Sequence, residues 1–287
     1  MRAVNNEYDN DEEYRAFEDY VDSSNKAAAT AKSYRTTYRK LRKLLNKPIR
    51  DAAQDTVINV VSSAVENINS QQALLNIAIV VRAECFQMPT DLLVEQRTKN
   101  KTTVIETCKM NNQFIVLPTL DEFDQFLESL WERNKWKEYI INYLIRHHYV
   151  RNQDLIFDVV ESKKDVDSDK NWIWLDRRKQ RAVYIRNVYK THHVYGPKEI
   201  VIDNERFLKA LKMTHKSRSV WPLADEDPTK IGYYIQKMSF NRLGEGLCLK
   251  IIVNHYKGDI SKLKEISKDR GTDVNTLLTC YNVSYTD

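Results

Sequence analysis

The sequence predicts an all-α N-terminal domain over residues 1–111 and an α+β domain with a small antiparallel sheet over residues 112–287. Three observations lead to this prediction. Only six glycines and six prolines occur in 287 residues, which favours helices over glycine-rich β architectures. Apolar residues recur at helical spacing through the N-terminal third of the chain. Short β-rich runs, bounded by turn signals, are confined to residues 155–202.

Composition predicts a soluble protein of the cytoplasm or nucleus. Hydrophobic residues make up 42% of the chain and charged residues 30%, with a net charge of +5, as in ordinary globular domains. No apolar run approaches the roughly 20 residues that span a bilayer, and the acidic N-terminus lacks the layout of a signal peptide. The four cysteines are widely spaced without a CxxC pair, so neither a disulfide framework nor a zinc ribbon is expected.

The charge of the chain changes sign abruptly near residue 25. Residues 1–24 contain eight acidic and two basic residues, whereas residues 25–50 contain nine basic residues and no acidic one. The second segment has helical period and is closed by Pro48. One face of this helix is apolar: Tyr34, Tyr38, Leu41 and Leu45. Its other side is either a solvated surface or a stripe that lies along a phosphate backbone.

Three further helices are expected before the second domain. Apolar stripes predict helices over residues 51–69 and 71–86, and a more polar helix follows over residues 91–107. A polar connector over residues 108–117 then ends at Pro118. Directly after it, Thr119 and Glu122 have the spacing of a capping box that opens a new amphipathic helix. Because a new amphipathic helix begins after this polar connector, we place the domain boundary near residue 112.

The second domain mixes helices and strands. After a helix through Tyr149, β-rich runs predict strands over residues 155–160, 172–175, 182–188 and 199–202. The turn signal Gly196-Pro197 pairs the last two runs as a hairpin or as part of a three-stranded antiparallel sheet. Helices are then expected over residues 204–214, after Asp227-Pro228, over 245–256 and over 259–269. Gly271 marks a helix end, and a short helix follows from Asp273.

Several common sites are absent from the sequence. There is no GxxxxGK[ST], GxGxxG, HExxH or GxSxG motif, which argues against nucleotide-binding folds, zincins and α/β-hydrolases. The adjacent pairs His147-His148 and His192-His193 have no cysteine at metal-ligand spacing. Neither a metal nor another cofactor is expected.

Residues 170–200 form a second basic block, with eight basic and two acidic residues. Aromatic residues are interleaved with them: Trp172, Trp174, Tyr184, Tyr189 and Tyr195. An amphipathic sheet with ordinary core aromatics would give this pattern, and so would a basic sheet that sits in a nucleic-acid groove. Because a basic stripe also lies upstream, the two blocks together favour binding of duplex DNA.

The order of these features resembles the tyrosine recombinases, the phage-integrase family. Arg151-Asn-Gln-Asp154-Leu155, directly before the sheet, resembles the family's first catalytic arginine with its acidic support. Lys190 is similar to the family's hairpin lysine, and Lys198 is a rival for that position. The resemblance extends from about residue 12 to the end of the chain, and it rests on the order and spacing of motifs that are individually weak.

The C-terminal part of the resemblance combines a match with departures. The ten-residue step from Gly271 to Tyr281 resembles the family's step from a glycine to its nucleophilic tyrosine, and Tyr285 is a competitor. The family's His-x-x-Arg falls on Leu247-Cys-Leu-Lys250, and its glycine–histidine pair reads Gly271-Thr272. A His215-Lys-Ser-Arg218 run does occur, but at about twice the family's distance from the tyrosine.

The resemblance implies a core-binding, SAM-like domain and a catalytic-type domain that clamp duplex DNA as a homo-oligomer. Tyr281 would attack a phosphodiester and form a phosphotyrosyl bond while a 5′-hydroxyl leaves, with no metal, ATP or small-molecule substrate. Arg151 and Lys250 would clamp the phosphate, Asp154 would support Arg151, and Lys190 would protonate the leaving oxygen. Lys250 would keep the charge of the family's second arginine but lose its bidentate fork.

The two basic blocks supply the expected DNA contacts: Lys32, Arg35, Arg39, Arg42, Lys43, Arg177, Arg178, Lys179, Arg181 and Arg186. Other interpretations remain open. Arg151 and Asp154 also fit a plain helix-end ion pair, and Tyr281 fits a packed core tyrosine. The chain would then be a catalytically inactive recombinase-fold protein that binds or shapes DNA. A topoisomerase-like enzyme would share the same tyrosine, arginine and lysine chemistry.

Overall fold

The chain forms two compact units, Met1–Cys108 and Lys109–Asp287. The structure is a computed structural model, and it describes residues 11–113, 115–216 and 230–282. Over these residues the protein is mostly helical, with one small sheet in the second unit. None of the described helices is both long and apolar enough to cross a membrane.

The first unit packs its helices around one apolar core. In chain order they are α1 (Glu12–Ser23), α2 (Ala28–Leu45), α3 (Gln54–Ala64), α4 (Ile68–Val80) and the first part of α5 (Asp91–Gln113). The apolar face predicted for the basic segment is confirmed, because Tyr38, Leu41 and Leu45 are buried. Helix α2 ends at Asn46, which adopts the left-handed conformation typical of a helix end, just before Pro48.

A buried carboxylate ties α1 to α2 and to the turn that follows α2. Glu13 is fully buried. Its carboxylate accepts hydrogen bonds from the Tyr38 hydroxyl at 3.0 Å and from the backbone N–H groups of Ile49 and Arg50 at 2.9 and 2.7 Å. A buried carboxylate is tolerated only with such partners, so this contact fixes how the acidic and basic segments pack together.

The expected connector over residues 108–117 is wrong in its first half. Helix α5 continues to Gln113, beyond the predicted end at residue 107. The physical reason is visible in the sequence, because residues 100–113 contain no glycine or proline that would stop a helix. The polarity of this stretch reflects a helix whose side chains are mostly exposed after Asn100.

The second unit surrounds one central helix. Its helices are α6 (Leu120–Glu132), α7 (Trp136–His148), α8 (His192–Tyr195), α9 (Glu205–Lys216), α10 (Ile231–Met238), α11 (Gly244–His255), α12 (Ile260–Arg270) and α13 (Val274–Cys280). Helix α7 is buried on every side from Tyr139 to Arg146, as expected for a helix inside a core. The capping box of Thr119 and Glu122 at the start of α6 is confirmed. The Asp227-Pro228 start signal lies outside the described residues.

The sheet has four strands, and it is mixed rather than antiparallel. The strands are β1 (Phe157–Val160), β2 (Asn171–Asp176), β3 (Arg181–Arg186) and β4 (Lys198–Ile202), in the order β1-β2-β3-β4. The predicted hairpin of β3 and β4 is confirmed, since Tyr184 pairs with Ile200 in an antiparallel register. In contrast, β1 pairs with β2 in parallel. The ten-residue connection 161–170 carries the chain back to the same end of the sheet, which no local pattern predicts.

The two faces of the sheet contribute to different apolar clusters. Ile173, Leu175 and Tyr184 belong to the main core with α7 and its neighbours. Trp172, Val183 and Ile185 form a smaller cluster on the opposite face. The aromatic residues of the block are mostly packed, as the interpretation of an amphipathic sheet with core aromatics expects, and binding in a nucleic-acid groove stays a prediction.

Candidate active site

Arg151 and Asp154 begin the site where α7 gives way to the sheet. Tyr149 ends α7 in the left-handed conformation, and a short 3-10 turn follows over Asn152–Leu155. The Asp154 carboxylate accepts the backbone N–H of Arg151 at 2.9 Å, so it holds the arginine's backbone. Its charge partner is Arg186. The pair at spacing i, i+3 is therefore not a plain ion pair between Arg151 and Asp154.

Arg186, the last residue of β3, is inside the protein. It is 0% exposed, and its guanidinium pairs with Asp154 and donates to the carbonyl of Asp269 at 2.8 Å. The guanidinium also lies over the Tyr189 ring, 4.7 Å from its centroid. A side chain with no exposed surface does not contact a DNA phosphate, so the expectation that Arg186 contacts DNA is corrected. Its guanidinium instead pairs with the Asp154 carboxylate inside the protein.

The carboxyl end of α12 is the point where these cations meet. Gly271 ends the helix with φ of 66°, as its position in the sequence predicted. Arg151 donates to the carbonyls of Arg270 and Gly271 at 2.6 and 3.3 Å, and Thr191 donates to that of Gly271 at 2.9 Å. The last carbonyls of a helix lack partners and carry partial negative charge, which explains why guanidinium groups gather here.

Lys198, rather than Lys190, is the lysine at this helix end. The ammonium group of Lys198 donates to the carbonyls of Lys268 and Asp269 and lies 5.3 Å from the centroid of the Tyr189 ring. Burial lowers the pKa of Lys198, and the charges of Arg186 and Arg151 lower it further. Lys190, in contrast, is exposed.

Tyr281 lies directly after α13, which begins at the N-cap Asp273 as expected. Its ring is partly buried against the main core, and its hydroxyl lies 3.4 Å from Nη2 of Arg270. The guanidinium carbon of Arg270 is 5.5 Å from the centre of the Tyr281 ring. Tyr281 therefore packs like a core tyrosine at its ring and faces a cation at its hydroxyl. Tyr285, its rival in the sequence, lies outside the described residues.

Arg270 and Glu245 are site residues that the sequence analysis missed. Arg270 is 3% exposed, pairs with the carboxylate of Glu245 and donates to the carbonyl of Tyr149 at 2.9 Å. The available signal was the position of Arg270 directly before Gly271, within the step that leads to Tyr281. That signal is weak, because a basic residue at a helix end commonly serves only the helix dipole.

Lys250 has a different partner from the one expected. Its ammonium group donates to Oδ1 of Asn112 at 2.6 Å. Lys250 follows Glu245 by five positions on α11, which rotates the two side chains about 140° apart around the helix axis. Glu245 therefore meets Arg270, whereas Lys250 points to the end of α5. Arg270, not Lys250, is the cation beside the Tyr281 hydroxyl.

The other departures from the family pattern have structural partners. Leu247 packs against the main core. The backbone of Thr272 bonds to Ser267, whose hydroxyl donates to the Thr272 carbonyl at 2.5 Å. Of the His215-to-Arg218 run, Ser217, Arg218 and the side chains of His215 and Lys216 lie outside the part of the chain that the structure describes.

The basic stripe of α2 is partly neutralised by α1. Arg35 contacts Glu18 and Asp22 at 2.6 Å each, while Arg42 is buried and pairs with Asp11. The expectation that Arg42 contacts DNA is corrected on this ground. Arg39 is exposed, although one guanidinium nitrogen reaches the Tyr14 hydroxyl at 3.0 Å. Among the residues of this helix that were expected to contact DNA, Lys32, Arg39 and Lys43 are exposed.

The β2–β3 turn holds the most exposed part of the second basic block. Arg177, Arg178 and Lys179 are exposed there. Arg177 pairs with Glu161, and the half-buried Arg181 pairs with Asp176 at 3.3 Å. This turn lies at the opposite end of β3 from Arg186, so it is a surface separate from the buried cluster. No group of three or more His, Cys, Asp or Glu suited to a metal occurs in the described ranges.

No protein-family model and no curated protein matches this chain. Among solved structures, the crystal structure of XerA recombinase is similar over 96% of this chain and 94% of that chain. The sequence identity is 14% and the TM-score is 0.40. The likeness is weak and concerns the fold.

Proposed function

We propose that this protein binds duplex DNA and cleaves and rejoins strands through Tyr281, as tyrosine recombinases do. The observation that carries the proposal is the placement of the Tyr281 hydroxyl 3.4 Å from a guanidinium nitrogen of Arg270. Arg151 bonds to the carbonyl of the same Arg270. A phenol and two guanidiniums are the groups that a phosphodiester needs for attack and for charge stabilisation.

The charge of the cluster suits a phosphodiester. Around the end of α12 the described side chains include the cations Arg151, Arg186, Lys198 and Arg270 and the carboxylates Asp154, Glu245 and Asp269. A cluster this rich in cations favours binding of an anion such as a DNA phosphate. Guanidinium groups also bind phosphate oxygens in a fork that an ammonium group does not provide.

The proposed reaction conserves bond energy. The Tyr281 hydroxyl gives up its proton to solvent and its oxygen attacks phosphorus, so that a P–O bond forms to the tyrosine and the bond from phosphorus to the 5′-oxygen breaks. The departing 5′-oxygen takes a proton from a lysine, for which Lys198 is the better candidate than Lys190. In rejoining, a 5′-hydroxyl attacks the phosphorus of the phosphotyrosyl bond and returns its proton to the lysine, while the tyrosine oxygen leaves and takes a proton from solvent.

A catalytically inactive DNA-binding protein is the second candidate, and one observation favours it. The guanidinium of Arg151 is directed to two backbone carbonyls, and that of Arg270 to Glu245 and to Tyr149. A phosphate therefore has to replace or share these contacts. Loss of one oxyanion contact typically lowers a rate by about 10²–10³. A site whose arginines keep these internal contacts would therefore be catalytically inactive.

A nicked suicide duplex decides between the two candidates. Cleavage near the nick releases a short fragment that diffuses away, so that a phosphotyrosyl adduct accumulates and is visible by denaturing electrophoresis. We expect an adduct with the natural chain, none with Tyr281→Phe, and equal DNA affinity for both, since phosphate charge dominates binding. The matched control Tyr233→Phe, at an exposed tyrosine of α10, keeps the adduct. DNA binding without any adduct would instead establish the inactive candidate.

A further inference from the structure

Asn112 contacts the chain on both sides of Tyr281. Asn112 lies in the last turn of α5 and is 3% exposed. Its side-chain amide nitrogen donates to the carbonyl of Asn282 at 3.0 Å and to that of Cys280 at 3.4 Å. One amide group thus binds the two carbonyls that flank the tyrosine in sequence.

Lys250 fixes the orientation of that amide. Its ammonium group, 2.6 Å from Oδ1 of Asn112, is only a donor, so the atom that faces it has to be the amide oxygen. The amide nitrogen is then left for the two carbonyls, which only accept. The donor and acceptor pattern is consistent at every contact, and the hydrogen bond from the lysine is charge-assisted.

The segment that carries Tyr281 needs such support. Helix α13 ends at Cys280, and Tyr281 is its C-cap residue. The Tyr281 N–H still bonds to the carbonyl of Leu277 at 3.0 Å, but the last carbonyls of a helix have no partner within it. A misplacement of about 1 Å in a reacting group can cost about 10²-fold in rate, so the position of the tyrosine hydroxyl depends on what holds this turn.

We propose that Asn112 and Lys250 form a polar strap that positions Tyr281. The proposal rests on the function proposed for that tyrosine. Lys250 acts through Asn112 and does not contact the phosphate, so both are positioning residues. The strap makes the placement of the nucleophile depend on the last turn of α5.

The test uses Asn112→Asp in the full-length protein. This change keeps an oxygen for Lys250 but removes the amide donor and turns a carboxylate oxygen toward the two carbonyls. Backbone hydrogen exchange at Tyr281, whose N–H bonds to the Leu277 carbonyl, should rise roughly 5- to 30-fold, as expected when local contacts of this strength are lost. Single-turnover adduct formation at saturating DNA should fall about 10-fold or more, with unchanged DNA affinity.

Lysine variants and a matched asparagine complete the design. Lys250→Met should raise exchange and slow adduct formation like Asn112→Asp, whereas Lys250→Arg keeps a donor for Asn112 and should retain the natural values. Asn142→Asp removes the same kind of amide donor elsewhere in the second unit, where Asn142 donates to the Met238 carbonyl at 2.8 Å. It should leave exchange at Tyr281 unchanged even if the protein becomes less stable.

The possible results distinguish failure of the strap proposal from failure of the proposed function. Unchanged exchange at Tyr281 in Asn112→Asp would overturn the strap. So would faster exchange with an unaltered rate of adduct formation, because the contact would then hold the chain without positioning the tyrosine. If the natural chain forms no adduct on DNA that it binds, the proposed function fails, and the nucleophile-positioning role fails with it. Faster exchange together with slower adduct formation supports both.

Discussion

At the scale of single residues, the guanidinium of Arg270 connects the helix end to the tyrosine. It pairs with Glu245, bonds to the backbone after α7 and reaches the Tyr281 hydroxyl. Removing one member of a buried ion pair typically costs about 3–5 kcal/mol, because the other charge is left without compensation. A loss of activity in a single variant would therefore mix unfolding with chemistry, and the pair has to be changed together.

We expect Arg270→Gln combined with Glu245→Gln to restore much of the stability that Arg270→Gln alone loses, since no buried charge remains. Adduct formation should stay about 10²–10³ below that of the natural chain, because the oxyanion contact is still missing. Urea unfolding and single-turnover cleavage measure the two effects separately. Arg146→Gln with Asp124→Asn is the matched control at another arginine–carboxylate pair. Natural cleavage rates in the Arg270 double variant would exclude Arg270 from the chemistry.

Lys198 and Lys190 are the two candidates for the general acid, and replacing each by alanine is expected to give a different result. Lys198→Ala should lower cleavage of an ordinary phosphodiester by about 10²–10⁴, the usual contribution of general acid catalysis. When sulfur replaces the 5′-oxygen of the substrate, the thiolate leaves without needing a proton. This substrate should therefore restore the cleavage rate of Lys198→Ala. Lys190→Ala should cleave both substrates at the natural rate. Rescue by sulfur in Lys190→Ala and not in Lys198→Ala would return the role to Lys190.

At the scale of elements, the end of α12 organises the site. A β-carbon at Gly271 would lie 2.5 Å from the hydroxyl oxygen of Thr191 and 3.3 Å from the Tyr189 ring. The left-handed backbone favours glycine at this position, and the close approach of the β3–β4 connection requires it. Gly271 therefore both ends the helix and contacts the β3–β4 connection. The step from Gly271 to Tyr281, which resembles that of the tyrosine recombinases, thus has a structural role of its own in this chain.

Helix α7 makes the second unit sensitive to acid. Burial, aided by the charges of His147 and Arg186, lowers the pKa of His148 to about 4, and its buried Nε2 has no partner among the described residues. The unfolded chain binds this proton near pH 6.5, so the stabilising contribution is present above that pH and is lost as the pH falls toward 4. The loss amounts to at most roughly 3 kcal/mol.

We expect His148→Phe, which keeps an aromatic ring beside Tyr143, to reduce the change in unfolding free energy between pH 6.5 and pH 4. Urea unfolding across this range measures it. The control is His193→Phe, at an exposed histidine of α8, which should leave the pH dependence as in the natural chain. An equal pH dependence in His148→Phe and the natural chain would contradict the assignment to His148.

At the scale of the whole molecule, charge is distributed less simply than the sequence suggests. The acidic and basic segments of the first unit pair with each other through contacts such as Arg35 with Glu18. In the second unit, Arg177, Arg178 and Lys179 expose positive charge in the β2–β3 turn, while Arg186 and Arg270 are buried at the end of α12. Of the ten cations that the two basic blocks were expected to supply for DNA contacts, Arg42 and Arg186 are buried, so fewer than ten are available to attract DNA in the proposed function.

We expect Arg178→Gln with Lys179→Gln to weaken duplex DNA binding and to reduce the slope of log affinity against log salt by about 0.9 for each phosphate contact removed. Fluorescence anisotropy at several salt concentrations measures the slope. Lys264→Gln, at an exposed lysine on α12, is the matched control and should not alter it. A slope that does not change in the double variant would remove this turn from the DNA-binding surface.

Much of the fold could be predicted because its signals are local. The end of α2 before Pro48, the capping box at Thr119 and the stop at Gly271 each depend on a few neighbouring residues, and all three are confirmed. The parallel pairing of β1 with β2 was missed, since strand direction is set by the path of a connection. The extension of α5 was missed because polarity was taken for a loop where no residue stops the helix.

The sequence by itself determined most of the helices, the β3–β4 hairpin, the sign of the charge in each segment and the candidates Tyr281 and Arg151. Only the tertiary structure decided which cations lie together. It buried Arg42 and Arg186, brought Arg270 to the tyrosine and turned Lys250 toward Asn112. The reason is physical: period and capping are properties of neighbouring residues, whereas the partner of a charged side chain depends on which distant segments pack beside it and on how far a helix has rotated when it arrives there.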